Sequence, residues 1–195
     1  MKRTILIAVA CSFIIANIAN GQRSYEKSDI ENLPTVYWFG VDLSKAFLIE
    51  GFNHAYATQQ GYFSGWNTFL LSTDVNLGKL LHKNEVITNL QIVNDRNKNY
   101  SYNSFKITPD TVQAVIDQYT YPYPEGVGVV LIVDNFDKPH EKAYAWMTYF
   151  DLKSKKVLST ELLMGKTSMG GMVTHWGEAL VRIIKEGAIY PVVLD

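Results

Sequence analysis

The chain has 195 residues, of which 47% are hydrophobic and 19% charged, and its formal net charge is −1. That balance describes a packed globule rather than a disordered chain, and the lack of a Lys/Arg cluster excludes the electrostatic footprint of a nucleic-acid binder. The single cysteine, Cys11, lies close to the N-terminus, so a mature chain that has lost it can carry no disulfide scaffold, thiolate metal site or Cys nucleophile.

Residues 1–21 read as a cleaved secretory signal. Lys2 and Arg3 form a short positive region, Ile5 to Ile15 an apolar core, and Ala19-Asn20-Gly21 supplies small residues for a signal peptidase. The apolar run is shorter than the roughly 20 residues of a membrane span, so no stable transmembrane segment is expected in the mature chain. Ala8-Val9-Ala10-Cys11 resembles a lipobox. However, the apolar stretch before Cys11 is short and Ala8 stands where a branched residue is usual, so lipid anchoring at Cys11 is not expected. Cleavage near Gly21 predicts a periplasmic or secreted protein. It removes Lys2 and Arg3 but no acid, and moves the net charge from −1 to −3. Residues 22–33 are polar and read as a flexible mature N-terminus, and 34–195 as a single domain.

Within that domain, Thr35 to Leu43 is rich in β-branched and aromatic residues and predicts the first strand; Ser44 to Ile49 is a second short strand or a bend. Trp66, Phe69, Leu70, Leu77, Leu80 and Leu81 recur at helical spacing, divided near Thr73-Asp74, with Asp74 the candidate N-cap of the second piece. Glu85 to Val93 alternates like a strand, and the Asn-rich stretch Asp95 to Asn103 reads as a loop. Thr108-Pro109-Asp110 starts a helix with face Val112, Val115, Ile116 and Tyr119, ended by Tyr121-Pro122-Tyr123-Pro124. Val127 to Val133 predicts a central strand covered on both faces. Ala143 to Phe150 and Lys156 to Leu163 form a hairpin, and a Gly-bearing loop leads to a helix over about Val173 to Glu186, with Gly187 as its C′ residue. The fold class expected is therefore α/β (α+β): one mixed β-sheet packed with amphipathic helices, its C-terminal hairpin followed by a helix.

The residues Ala143–Asp151, Lys153-Ser154-Lys155-Lys156-Val157, Gly165, Gly170-Gly171 and the helix after Val173 form an arrangement known from bacterial envelope proteins. It resembles the N-terminal domain of the Tol-system β-propeller protein and the curli-secretion lipoprotein family. The resemblance covers about a quarter of the chain and is architectural. It implies an α/β sandwich used for envelope assembly contacts.

Two groups of residues are candidates for chemistry. Asp134-Asn135-Phe136-Asp137, followed by His140, follows a buried strand, where ligand sites of open α/β sheets gather. Asp134, Asp137 and His140 could serve a secreted hydrolase as acid–base groups; the plainer reading is a solvated hairpin loop. Tyr62, Phe63 and Trp66, with Tyr56 nearby, could line a sugar- or peptide-binding face. Tyr121 and Tyr123, with Tyr100, Tyr102 and Tyr119, cluster around loops in the manner of interaction surfaces. His54, His82, His140 and His175 show no metal-ligand spacing, so neither a metal site nor a cofactor is expected. Gly61-Tyr62-Phe63-Ser64-Gly65 lacks the spacing of a nucleophile elbow, and Gly126-Val127-Gly128 opens a strand rather than a phosphate-binding helix. The function expected is a non-enzymatic, exported interaction or assembly module that binds an envelope protein or glycan and no nucleic acid.

Overall fold

The computed structural model describes residues 25, 27–48, 56–98 and 106–189. The elements in chain order are α1 (Lys27–Asn32), β1 (Thr35–Asp42), β2 (Phe47–Leu48), α2 (Tyr56–Leu70), α3 (Leu77–Leu81) and β3 (Glu85–Thr88). They continue with α4 (Gln91–Lys98), α5 (Pro109–Asp117), β4 (Val127–Asp137), β5 (Lys142–Asp151), β6 (Val157–Lys166) and α6 (Met172–Gly187). The signal residues 1–21, with Cys11, lie outside the described residues, as do His54, Tyr100 and Tyr102.

The sheet is mixed, as expected, in the order β3-β1-β4-β5-β6, with β2 pairing β4 beyond the end of β1. β3 and β4 lie parallel to β1 on either side, while β4, β5 and β6 form an antiparallel meander. Alternate residues of each strand feed two separate cores. Val36, Trp38 and Val41 of β1 join Val129, Leu131 and Val133 of β4 beneath α2, α3 and α6. On the other face Phe39, Val130, Ile132, Trp146 and Phe150 meet Ile92 and Val93 of α4 and Val112, Val115 and Ile116 of α5. Helices therefore cover both faces, giving three layers. The unbroken apolar run of β4 follows from that position, because each fully buried aliphatic side chain contributes about 1.5–3 kcal/mol.

Several local expectations need correction. The strand read over Glu85 to Val93 stops at Thr88, and the expected Asn-rich loop is partly α4. Asn89 accepts the Gln91 N–H at 3.1 Å and opens this helix, which is then held by burial of Ile92, Val93 and Asn97. Asn76, not Asp74, caps α3, its side chain accepting the Lys79 N–H at 3.1 Å. Residues 22–33, read as flexible, include the docked helix α1. Its Ile30 is fully buried, and Lys83 donates to the carbonyls of Ile30 and Glu31. Gly187 is the last helical residue rather than a left-handed cap, and a Cβ there would run into Leu163 and Met147. Gly165 of β6 has a similar role: a Cβ would strike the carbonyl of Ala179, so α6 rests its backbone directly on the strand.

β1 carries a bulge. Its pairing with β4 shifts between Trp38 and Val41, with Gly40 at φ 97. The extra residue turns Val41 toward the α2–α6 layer and Asp42 toward the α4–α5 layer. Beyond Trp38, β3 no longer accompanies β1, and two buried carboxamides take its place. Asn97 donates to the Val41 carbonyl at 2.9 Å and accepts the Leu43 N–H at 2.7 Å, the pattern that one residue of a parallel strand would present opposite Asp42. Asn67 of α2 accepts the Val41 N–H at 2.8 Å.

Candidate functional site

The structure places the three residues of the alternative acid–base reading in two separate hydrogen-bonded groups. Asp134 is buried and accepts the Ile107 N–H at 2.9 Å and the Asn135 side chain at 2.7 Å, which ties the start of α5 to the end of β4. Asp137 instead accepts from the backbone and ring of His140 across the β4–β5 turn, with the ring at 2.8 Å and the His side chain 72% exposed. Among the described residues no hydrogen bond joins Asp134 to the Asp137–His140 pair. A register shift between Val133 and Asn135 lies between them. Asp134 and the Asp137–His140 pair thus each serve as a local cap.

The described aromatic candidates are buried or half-buried. Phe63 and Trp66 are 2% and 1% exposed. Trp66 packs at a tilt against Phe136 with centroids 4.7 Å apart and donates Nε1 to the Met172 carbonyl, so it joins α2 to α6 in the core. Tyr62 is half-buried against Trp66. Tyr121 and Tyr123 are half-buried over Phe39, and the Tyr121 hydroxyl donates to the Leu152 carbonyl at 2.7 Å. Among the described residues no group of His, Cys, Asp and Glu could hold a metal ion, and no helix is long and apolar enough to cross a membrane.

Sequence reading missed the densest polar cluster. The Asp42 side chain is fully buried. It accepts the Ser44 N–H at 2.9 Å, Arg96 Nε at 2.7 Å and the Tyr119 hydroxyl at 2.8 Å. Arg96 also donates to Ser44 Oγ and Gln118 Oε1, both at 2.9 Å, and lies over the Tyr119 ring. Each of these donors is already committed, so the cluster joins β1, α4 and the end of α5 rather than offering itself to a ligand. Nothing in the sequence signals it, because Asp42 and Arg96 are 54 residues apart.

Beside the carboxyl end of β1 lies a cleft of about 310 Å³ between α2 and α4. Phe63, Ser64, Gln91, Asn94, Asp95, Asn97 and Lys98 line it. Asn97 fixes its inner wall to β1 through Val41 and Leu43. Asp95 bonds to Lys98 and to Gln91, both at 2.8 Å, and these bonds hold its carboxyl below the usual value. Of the described binding candidates Tyr62, Phe63, Trp66, Tyr121 and Tyr123, Phe63 lines this cleft.

The buried phenols give the domain an alkaline limit. Burial, with the Asp42 carboxylate beside it, raises Tyr119 well above its ordinary value, and burial raises Tyr149 as well. Burial and then Asp151 push Tyr121 up to about 12. The unfolded chain releases these protons near pH 10 while the folded chain keeps them. Stability is thus intact below about pH 10 and falls above it, by about 1.4 kcal/mol per pH unit for each fully enclosed phenol. Tyr121, half open, adds less. Lys83 opposes the trend, because burial lowers its value and the unfolded chain holds that proton longer. Urea midpoints measured from about pH 8 to about pH 11, with tyrosinate absorbance followed in parallel, should fall together with the onset of ionisation. A flat midpoint through that range contradicts the assignment.

The fold and cleft together define a class no finer than a three-layer α/β domain with one polar cleft described beside its parallel strands. No protein-family model, curated protein or solved structure shows a significant match to the chain.

Proposed function

We propose that this chain is an exported, non-catalytic module of the cell envelope that binds a protein or glycan partner, with the α2–α4 cleft as its binding site. The observation that carries the reading is the use made of its polar groups. Asp134, Asp137, His140, Asp42 and Arg96 are engaged in caps and interlayer bonds, whereas the cleft presents hydroxyl and amide groups at its surface. A site built from such groups binds and orients a ligand, and its described lining pairs no nucleophile with a base. The apolar run at residues 5–15, followed by Ala19-Asn20-Gly21, supports export.

The test has two arms. Cells producing the full chain should release it outside the cytoplasm with its N-terminus at Gln22, as read by fractionation and mass spectrometry. The purified mature chain should then show no turnover in an unbiased hydrolase and transferase screen. Cytoplasmic retention of the intact chain overturns the export claim. Turnover lost on His140→Ala or Asp137→Asn would restore the hydrolase alternative.

A further inference from the structure

Three properties of the α2–α4 cleft narrow what it can hold. First, its charges cancel. Of the described lining residues Asp95 and Lys98 alone are ionisable, and they pair at 2.8 Å. Second, the lining offers uncommitted groups of both polarities. Ser64 and Asn94 are exposed, and neither side chain has a hydrogen bond within the described protein. A hydroxyl and a carboxamide can each donate and accept, and the neighbouring Asp95 carboxylate accepts only. Third, the wall beneath them is rigid. Asn97, one turn along α4 from Asn94, is tied to the backbone of Val41 and Leu43, and the buried Phe63 also lines the cleft.

A ligand charge of either sign would attract one member of this exposed pair and repel the other, so neither sign gains a net attraction here. A ligand with adjacent neutral hydroxyls meets no such obstacle, because each hydroxyl donates to one group and accepts from another. We infer that the cleft binds a neutral saccharide, its vicinal hydroxyls bridging Asn94, Asp95 and Ser64. This inference rests on the reading of the cleft as the binding site. At about 310 Å³ the cleft is at the small end of ligand sites, so it takes one or two sugar units, such as the end of a longer glycan.

Saturation-transfer NMR and calorimetry on the mature chain test this with glucose, galactose, N-acetylglucosamine and their β-linked disaccharides. Glucosamine and glucuronate serve as the charged counterparts. At least one neutral sugar should bind, and the cationic and anionic analogues should bind about tenfold more weakly or not at all. Asn94→Ala and Ser64→Ala should each weaken binding by about tenfold, the value of one hydrogen bond. Both side chains are exposed, so the thermal melt of each variant should match that of the parent. The inference is overturned if no neutral sugar binds, if a charged analogue binds more tightly, or if Asn94→Ala leaves sugar binding unchanged. Amino acids or short peptides, run as a further arm, separate the two readings. If they bind in place of sugars and Asn94→Ala weakens them, the saccharide assignment fails while the cleft remains the binding site.

Discussion

Arg96→Met is expected to lower the free energy of unfolding by about 3–5 kcal/mol, because it leaves the Asp42 carboxylate buried without its counter-charge. Asp42 has no exposed side-chain surface, and losing Arg96 leaves it only the Ser44 N–H and the Tyr119 hydroxyl. Moving that carboxylate toward water would require the β1 bulge to open, which the Asn67 and Asn97 bonds to Val41 resist. Replacing the whole group should behave differently. In the triple variant Asp42→Leu, Arg96→Met, Tyr119→Phe no charge or phenol is left unanswered, and most of the loss should be recovered. Chemical denaturation of both proteins decides the matter. A single variant within about 1 kcal/mol of the parent would show that the pair is no better than a surface ion pair.

Removing α6 is expected to do more damage still. Trp176 is 1% exposed, with its ring 5.0 Å from that of Phe136, and Leu180, Ile183 and Ile184 are fully buried in the same core. Trp176→Ala should cost roughly 3–5 kcal/mol. A chain ending at Gly171 should lose cooperative unfolding altogether, because Val129, Leu131 and Met147 would then expose one face of the central strands. Calorimetry on residues 22–171 against 22–195 reads this directly. A sharp transition in the shorter chain would make α6 an appendage and would detach the α/β assignment from the packing that supports it.

The parts that were legible from sequence are those in which local pattern and tertiary role agree. The apolar run of β4, the β5–β6 hairpin and the amphipathic face of α6 each carry their own periodicity, and each was placed to within a few residues. The Thr108 cap was equally readable, since its side chain accepts the Thr111 N–H three residues on. α4 was not legible. Gln91–Lys98 is a polar stretch with two asparagines, and its stability comes from what Asn97 and Arg96 reach on β1. The cleft is hidden from the sequence for the same reason. Asp134, Asp137 and His140 are neighbours in sequence and were read together, whereas the cleft is built by α2 and α4, more than twenty residues apart in the chain. The aromatic ring of Phe63 is legible in the sequence, whereas its burial beside the cleft is not.

The two margins of the sheet differ in a way that bears on self-association. On the β3 side the ladder runs for four residues and then gives way to the Asn67 and Asn97 carboxamides, which occupy β1 without presenting a further strand. An incoming chain finds nothing there to copy. On the opposite side β6 is a ten-residue terminal strand, flanked by the side-chain bond from Gln113 to Val157 at one end and by Lys166 at the other. Among the described residues β3 and β6 end the sheet, while the edge of β1 beyond Trp38 is closed to strand-by-strand growth by side chains rather than by a further strand.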